Sequence, residues 1–280
     1  MTAPVRRIAW APEWASAWGE DEYGLFADLE YGKVVQRMRW IASGRFLMGS
    51  PDDEPMRDSD EVLHEVQLTE GYWLADTTCT QEMWEAVMGQ NPSQFKEQEK
   101  GEDSRPVERV SWDDCQEFLR KMNGEVPGLD FRLPTEAEWE YACRAGTTTP
   151  FSFGANITPA QVNYDGNYPY VGGKKGEYRQ KTVPVKSLPA NPWGLYEMHG
   201  NVDEWCLDEF APYKPGLATD PVGTAEGQAV RKRVIRGGSW NFYVWIARSA
   251  HRNRLEPGYR NLNLGFRVAR GRPVQQAKPA

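Results

Sequence analysis

The sequence predicts an α+β fold with few short helices, many short strands and long ordered loops. Three observations predict it. The 280 residues include 26 Gly and 20 Pro, which indicate frequent turns. The 12 Trp indicate an aromatic core, and three short segments carry helix-capping signals. The length suits one large domain or two small ones.

Strand patterns come first along the chain. Residues 34–43 alternate between apolar and polar side chains, and residues 44–51 form a second short extended segment that ends in a turn. Residues 64–80 alternate well enough for a further strand pair. We expect residues 1–36 to be an N-terminal extension and residues 37–270 to be the domain. Residues 271–280 are expected to be a disordered tail.

Three helices are predicted from their first turns. One is expected to begin after Thr80 and the next after Ser111, each residue acting as an N-cap. The third has Thr135 with Glu138 three residues later, the arrangement of a capping box. Each segment is followed by a glycine that can end a helix: Gly89, Gly124 and Gly146. From about 147 to 233 the pattern indicates turns and short extended pieces.

Cysteine usage and hydropathy bear on location. No apolar run is long enough to span a bilayer, and the first residues lack the continuous apolar stretch of a signal peptide. The four cysteines lie far apart without a C-x-x-C pair: Cys79, Cys115, Cys143 and Cys206. We expect reduced thiols and a cytoplasmic protein, with export by another route left open.

The charge is distributed unevenly. Residues 231–272 contain eleven Lys or Arg and one acid, a local charge of +10 in a chain whose net charge is -7. Such a segment can form a basic patch for nucleic acid. It can also pair its arginines with carboxylates of the acidic remainder, which carries -17. There are no runs of adjacent lysines, so internal pairing is the favoured interpretation and nucleic acid is not an expected partner.

Several motifs carry a family resemblance. The segments "GRFLMGS", "FRLPTEAEWEYACRAG", "NPWGLYEMHGNVDEWC", "RVIRGGSW" and "NLGFRVAR" occur in this order. The chain thus resembles formylglycine-generating-enzyme-like domains, also called sulfatase-modifying-factor domains, over roughly residues 37–270. The resemblance implies a variant of the C-type lectin fold.

The family's enzymes use residues that this chain lacks. Formylglycine-generating members bind copper through two cysteines in the segment after G-G-S-W, which here contains no sulfur over residues 241–250. Copper is therefore not expected, because Cu(I) requires soft ligands. The sulfoxide-synthase branch needs a histidine-rich helical domain, whereas this chain has His64, His199 and His251 without ligand-like spacing. An oxidative enzyme of unassigned substrate is the alternative function, and a structural or regulatory domain is a third.

Residues 234–267 resemble the variable region of diversity-generating-retroelement proteins. In that family, a template copied with errors at adenines turns Asn codons into codons for residues such as Phe, Tyr, Ile, Leu and His. The residues so placed here are expected to bind the ligand: Phe242, Tyr243, Trp245, Ile246, His251, Leu255, Tyr259 and Leu262. Trp245 could arise only from an Arg codon. The frame residues are expected to point inward: Arg236, Trp240, Arg248 and Phe266.

The resemblance to variable proteins implies a non-catalytic binding protein. Its partner would be a protein or another macromolecule of unknown identity, since clustered exposed aromatics mark a binding surface. The competing interpretation is that the large apolar side chains of this segment are core, because a run such as "NFYVWIA" has the composition of a buried strand.

Two calcium sites are also implied by the resemblance. Calcium binds carboxylate and carbonyl oxygens in loops. The first site would use the carboxylates of Glu197 and Glu204 and the carbonyls of Gly200 and Val202. The second, weaker match comprises the side chains of Asn163 and Glu177 and the carbonyls of Tyr164 and Arg179. Alternatively, Glu204 pairs with an arginine and no ion binds.

Overall fold

The computed structural model describes residues 12–96, 104–227 and 231–271. The helices are α1 (Gln81–Met88), α2 (Trp112–Glu125) and α3 (Glu136–Arg144), with a 3-10 turn at Val244–Ala247. The strands are β1 (Ala17–Asp21), β2 (Gly24–Tyr31), β3 (Val34–Ile41), β4 (Gly44–Met48), β5 (His64–Leu68), β6 (Tyr72–Ala75), β7 (Phe131–Arg132), β8 (Asp203–Glu209), β9 (Ala218–Thr219), β10 (Arg233–Arg236), β11 (Arg252–Leu255), β12 (Leu264–Gly265) and β13 (Ala269–Arg270). This composition confirms the α+β prediction.

The strands form three sheets. Their orders are β1-β2-β3-β6-β13-β7, β11-β10-β8-β12 and β4-β5-β9. Residues 64–80 supply two strands, as expected, but the two belong to different sheets. β5 pairs with β4 and has one exposed side chain between buried ones, whereas β6 is buried at every position between β3 and β13. Burial on both faces places β6 in the interior of the six-stranded sheet.

The first strands of the six-stranded sheet lie in the stretch that the sequence assigned to an extension. β2 pairs with β3 over six residues, from Phe26 to Tyr31, and β1 pairs with β2. Ala27 and Leu29 are buried in the core, while Asp28 forms an ion pair with Arg37 across the strands at 2.8 Å. The domain therefore begins before residue 37. Residues 1–11 and the expected tail beyond Gly271 lie outside the described residues.

The predicted helix starts are confirmed. Thr80 accepts the backbone N–H of Met83 at 3.2 Å, and capping boxes are present at Ser111 with Asp114 and at Thr135 with Glu138. α1 ends at Gly89, which has a φ of 78°. The other two helices do not end at the predicted glycines. α2 runs through Gly124 to Glu125, and Ala145 adopts the left-handed C-cap conformation before Gly146.

The core is aromatic, as predicted. Six tryptophans of the described residues are buried: Trp14, Trp73, Trp84, Trp139, Trp205 and Trp240. Trp84 stacks on Phe118 with ring centroids 5.4 Å apart, and Phe266 packs edge-on against both. Phe266 follows β12, so this cluster ties the last part of the chain to α1 and α2. No helix of the described ranges is both long and apolar enough to cross a membrane.

Candidate functional site

The segment 234–267 leaves β10 through a double-glycine turn. Gly237 and Gly238 have φ values of 98° and 69°, which favour glycine over residues with a side chain. A Cβ on Gly238 would lie 3.0 Å from the carbonyl carbon of Ile246. The turn therefore packs directly against the 3-10 turn Val244–Ala247, and only glycine allows this approach.

Arg248 anchors the segment to the loop that carries Glu54 and Glu61. It is fully buried, and its guanidinium bonds to both carboxylate oxygens of Glu61, at 2.6 and 2.7 Å, and to Glu54 at 2.7 Å. Burial alone would lower the pKa of Arg248, but the hydrogen bonds and negative charge of Glu61 and Glu54 raise it above the usual value. A buried bidentate pair of this kind fixes the backbone position of Arg248.

The arginine-pairing prediction is confirmed. Of the ten basic residues that the structure describes in 231–271, eight form ion pairs: Arg231 and Arg233 with Glu209, Arg236 with Glu140, Arg248 with Glu61, Arg252 with Glu136, Arg254 with Asp60, Arg260 with Asp114, and Arg267 with Glu204. The local charge is thus largely balanced within the domain. The frame prediction is also confirmed, since Arg236, Trp240, Arg248 and Phe266 are all buried.

The eight residues expected to bind ligand fall into three exposure classes. Tyr243 and Tyr259 are 42% and 44% exposed. His251 is buried, with 5% exposed. The remainder are half-buried: Phe242, Trp245, Ile246, Leu255 and Leu262. The segment therefore contains both surface positions and packed positions. The binding-face interpretation predicted only the first kind, and the core interpretation predicted only the second.

An aromatic platform lies at the surface of this segment. The ring of Tyr243 is 4.6 Å from that of Trp245 and 4.3 Å from that of Tyr168, measured between centroids. Trp245 in turn packs on a buried cluster that includes Phe151 and Tyr170. We refer to Tyr168, Tyr243 and Trp245 as the aromatic platform. Its rigid aromatic area suits recognition of a macromolecule.

Tyr168 is the platform residue that sequence reasoning missed. It is 45% exposed and lies about 75 residues before Tyr243 in the chain. The loop that carries it is held against the segment by a backbone hydrogen bond, from the N–H of Asp165 to the carbonyl of Phe242, of 3.0 Å. The signal that could have indicated Tyr168 is the turn-rich aromatic stretch "NYDGNYPY". The sequence analysis assigned this stretch only to the second calcium site.

Other predicted ligand residues lie elsewhere. Leu255 packs against the core cluster that also contacts Trp112. The prediction that His251 belongs to the binding surface is wrong, because its ring is buried. Burial lowers its pKa to about 3, although Asp58 lies 3.5 Å from its Nε2 atom. Asp58 is largely exposed, and the positive charges of Arg248 and Arg236 oppose protonation of the ring.

The two carboxylates of the first predicted calcium set have different surroundings. Arg267 donates to both carboxylate oxygens of Glu204, at 2.6 and 2.8 Å, and Trp139 Nε1 donates to one of them at 2.8 Å. Glu204 is therefore an arginine partner. Oε1 of Glu197 is buried without a hydrogen-bond partner, and burial raises the pKa of Glu197 to about 8. Gly200 and Val202 are buried in the turn that leads into β8.

The residues of the second predicted calcium set differ in solvent exposure. Asn163 is buried, and its Nδ2 donates to the carbonyl of Lys181 at 2.9 Å. Tyr164 is also buried, whereas the side chain of Glu177 is 62% exposed and pairs with Arg179 at 3.1 Å. Within the described ranges, no three His, Cys, Asp or Glu side chains come together in a way that could hold a metal ion. Calcium binding by this set stays a prediction.

A cysteine and a histidine meet beneath the segment. Cys143 Sγ lies 3.7 Å from His199 Nε2, and both residues are buried. His199 Nδ1 bonds to the carbonyl of Ala247 at 2.7 Å, and Nε2 accepts the backbone N–H of Ser152 at 3.0 Å. Burial raises the pKa of Cys143 to about 12 and lowers that of His199 to about 4. A reactive thiolate needs the opposite shifts, so the pair is structural.

The exposures predict contrasting stability effects. We expect Tyr243→Ser to lower the free energy of unfolding by no more than about 1 kcal/mol, since the position is partly exposed and mainly loses ring contacts. Leu264→Ala, at a position that is 1% exposed, should cost about 2–5 kcal/mol. Urea unfolding of both variants measures the difference. A loss above 2 kcal/mol for Tyr243→Ser would place that residue in the core.

Comparison with solved structures finds the same architecture. Treponema denticola variable protein 1 superposes with a TM-score of 0.73 and 31% identity, covering 89% of this chain and 99% of that one. PvdO from Pseudomonas aeruginosa gives a TM-score of 0.71 and 27% identity over 87% of this chain and 97% of the other. The fold is thus the C-type-lectin-like fold of the formylglycine-generating-enzyme type.

Sequence relatives point the same way. The formylglycine-generating enzyme of Streptomyces coelicolor is 38% identical over 60% of this chain and 54% of its own length. The serine/threonine-protein kinase pkn1 of Chlamydia caviae is 33% identical over 85% of this chain but only 38% of its own length. The chain thus spans about half or less of these two relatives. Since the profile of the sulfatase-modifying factor enzyme 1-like domain matches residues 26–272, the chain belongs to that family.

Proposed function

We propose that this protein is a non-catalytic binding protein whose segment 234–267 displays changeable side chains to a macromolecular ligand. The observation that carries the proposal is the separation of frame from surface. Arg236, Arg248 and Arg267 are fully buried in ion pairs, while Tyr243 and Trp245 form the aromatic platform above them. The similarity to Treponema denticola variable protein 1 supports it.

The energetics suit such a division. Substitutions at exposed positions usually change stability by about 0.5 kcal/mol or less. Removing one partner of a buried ion pair costs about 3–5 kcal/mol. An exposed side chain such as that of Tyr243 can therefore be exchanged without loss of the fold, provided that the buried arginines are kept. A binding face that changes between copies of a gene needs this property.

The positions of sulfur support a non-catalytic role. Residues 241–250, which lie over the buried frame, contain no cysteine. The cysteine beneath them, Cys143, is buried, and its pKa is raised to about 12. An oxidative enzyme of the same family is the second candidate function, supported by the relationship to formylglycine-generating enzymes.

The origin of the segment can be tested in the DNA. Within a few kilobases of the gene we expect a near-copy of the stretch that encodes residues 234–267, differing almost only where the copy has adenine. It should specify Asn at most of positions 242, 243, 246, 251, 255, 259 and 262, and Arg at 245. The codons of Arg236 and Arg248 serve as an internal control and should match. A copy that differs at random bases, or no copy, contradicts diversification.

A second arm of the test separates binding from catalysis. Purified protein should neither consume oxygen nor convert a sulfatase-type cysteine peptide to formylglycine, with or without added copper. Mass spectrometry of the peptide measures the product. A relative that performs the conversion, assayed beside it, shows that the peptide is competent. Formylglycine formation would favour the oxidative enzyme.

A further inference from the structure

A cavity of about 230 Å³ lies between the three-stranded sheet, the first turn of α3 and the loop after β8. Its deeper wall is buried and includes Met48, His64 and Ala137. Its rim includes Pro212 and Lys214, which are exposed. The cavity is therefore reached from solvent at the rim. None of the platform residues lines it.

The buried charged groups of the cavity already have partners. Asp208 accepts the backbone N–H of Glu136 at 2.8 Å and that of Gly223 at 2.6 Å. Glu136 accepts two hydrogen bonds from Arg252, at 2.8 and 2.7 Å, and one from the hydroxyl of Tyr213 at 2.9 Å. Burial, together with the charge of Glu136, raises the pKa of Asp208 to about 7. These groups shape the cavity and leave little charge to hold an ion.

Among the buried residues that line the cavity, His64 has a polar atom left for a ligand, whereas Lys214 and Thr224 line the exposed rim. Its Nδ1 lies 2.8 Å from the carbonyl oxygen of Val62. A carbonyl only accepts, so in the neutral form of the ring Nδ1 carries the proton and Nε2 is the acceptor nitrogen. Nε2 forms no hydrogen bond with any residue that the structure describes. The ring also packs against Tyr213, with centroids 4.7 Å apart.

We propose that this cavity binds a small, uncharged aromatic molecule that carries one hydroxyl group, such as a simple phenol. The hydroxyl donates to Nε2 of His64, and the ring packs between Tyr213 and the apolar walls of Met48 and Ala137. The size is sufficient, because an apolar protein cavity of about 150 Å³ holds benzene. The carboxylates of Glu136 and Asp208 disfavour an anionic ligand at this depth.

Three probes of matched shape test the chemistry. By isothermal titration calorimetry, p-cresol should bind the wild-type protein about tenfold more tightly than toluene, the ratio expected from one hydrogen bond. The anion 4-methylbenzoate should bind more weakly than p-cresol. Absence of p-cresol binding, equal affinity for p-cresol and toluene, or tighter binding of 4-methylbenzoate would each overturn the proposal.

Variants locate the site. His64→Phe keeps a ring against Tyr213 and removes the acceptor, so p-cresol and toluene should bind it equally. Ala211→Trp, at another lining position, should fill the cavity and abolish binding of both. Circular dichroism checks folding, and Ala211→Trp decides the result if His64→Phe does not fold. Tyr243→Ser is the matched control on the platform and should bind p-cresol normally. Three results would contradict this location of the site: tighter binding of p-cresol than of toluene by His64→Phe, binding of either probe by Ala211→Trp, or loss of p-cresol binding by Tyr243→Ser.

Discussion

Replacement of Arg248 by Met is expected to lower the free energy of unfolding by about 3–5 kcal/mol. The guanidinium is fully buried and bonds to Glu61 and Glu54, which are themselves buried. Met fills a similar volume but leaves two carboxylates without a counter-charge, and an uncompensated buried charge has this cost. Urea unfolding at pH 7 measures the change.

Arg260→Met is the matched control. Arg260 belongs to the same segment and also forms a two-bond pair, with Asp114 at 2.6 and 2.7 Å, but its side chain is 53% exposed. Exposed pairs contribute about 0–1 kcal/mol, so this variant should stay within that range. If both variants lose the same amount, burial of Arg248 is not what stabilises the segment, and the proposed frame fails.

His199→Gln is expected to change how stability depends on pH. Burial lowers the pKa of His199 from 6.5 to about 4 in the folded state. Above pH 6.5 the ring is neutral in both states. As the pH falls from 6.5 to 4, the unfolded chain gains a proton that the folded one does not, so the wild type loses stability. At about 1.4 kcal/mol per pKa unit, this loss is about 3 kcal/mol.

The comparison must be between variants, because buried acids titrate over the same range. We expect the stability margin of the wild type over His199→Gln to shrink by about 3 kcal/mol between pH 7.5 and pH 4. Cys143→Ala is the control, since it changes a neighbour of His199 whose thiol does not ionise in this range. Its margin should stay constant. A constant margin for His199→Gln would mean that the ring titrates equally in both states.

Together these two residues explain how the segment is supported. Arg248 connects it to the loop that carries Glu54 and Glu61. His199 connects the carbonyl of Ala247 to the backbone of Ser152. Both contacts reach the 3-10 turn or the residue after it, directly below the platform. Neither contact involves a platform side chain, so the platform side chains can change while both contacts are kept.

The amino-acid sequence by itself determined the local elements. The helix starts at Thr80, Ser111 and Thr135 follow from hydrogen bonds between residues three apart, so a short stretch of sequence contains all the participants. The inward position of Trp240 and Phe266 was also predictable, because their motifs belong to a recognisable frame. Pairing of the arginines followed from charge alone, although the sequence did not specify the partners.

Only the tertiary structure decided which distant residues meet. The ring of Tyr168 contacts that of Tyr243 because a backbone hydrogen bond between Asp165 and Phe242 joins their two loops, and Glu204 pairs with Arg267, 63 residues away in the chain. His251 could be read as a surface residue because its burial depends on residues from other parts of the chain, among them Glu61. Contacts of this kind depend on how sheets and loops pack, and no local pattern encodes them. The family frame could therefore be predicted from the sequence, whereas the composition of the platform, the pairing of Glu204 with Arg267 and the cavity beside His64 were determined by packing.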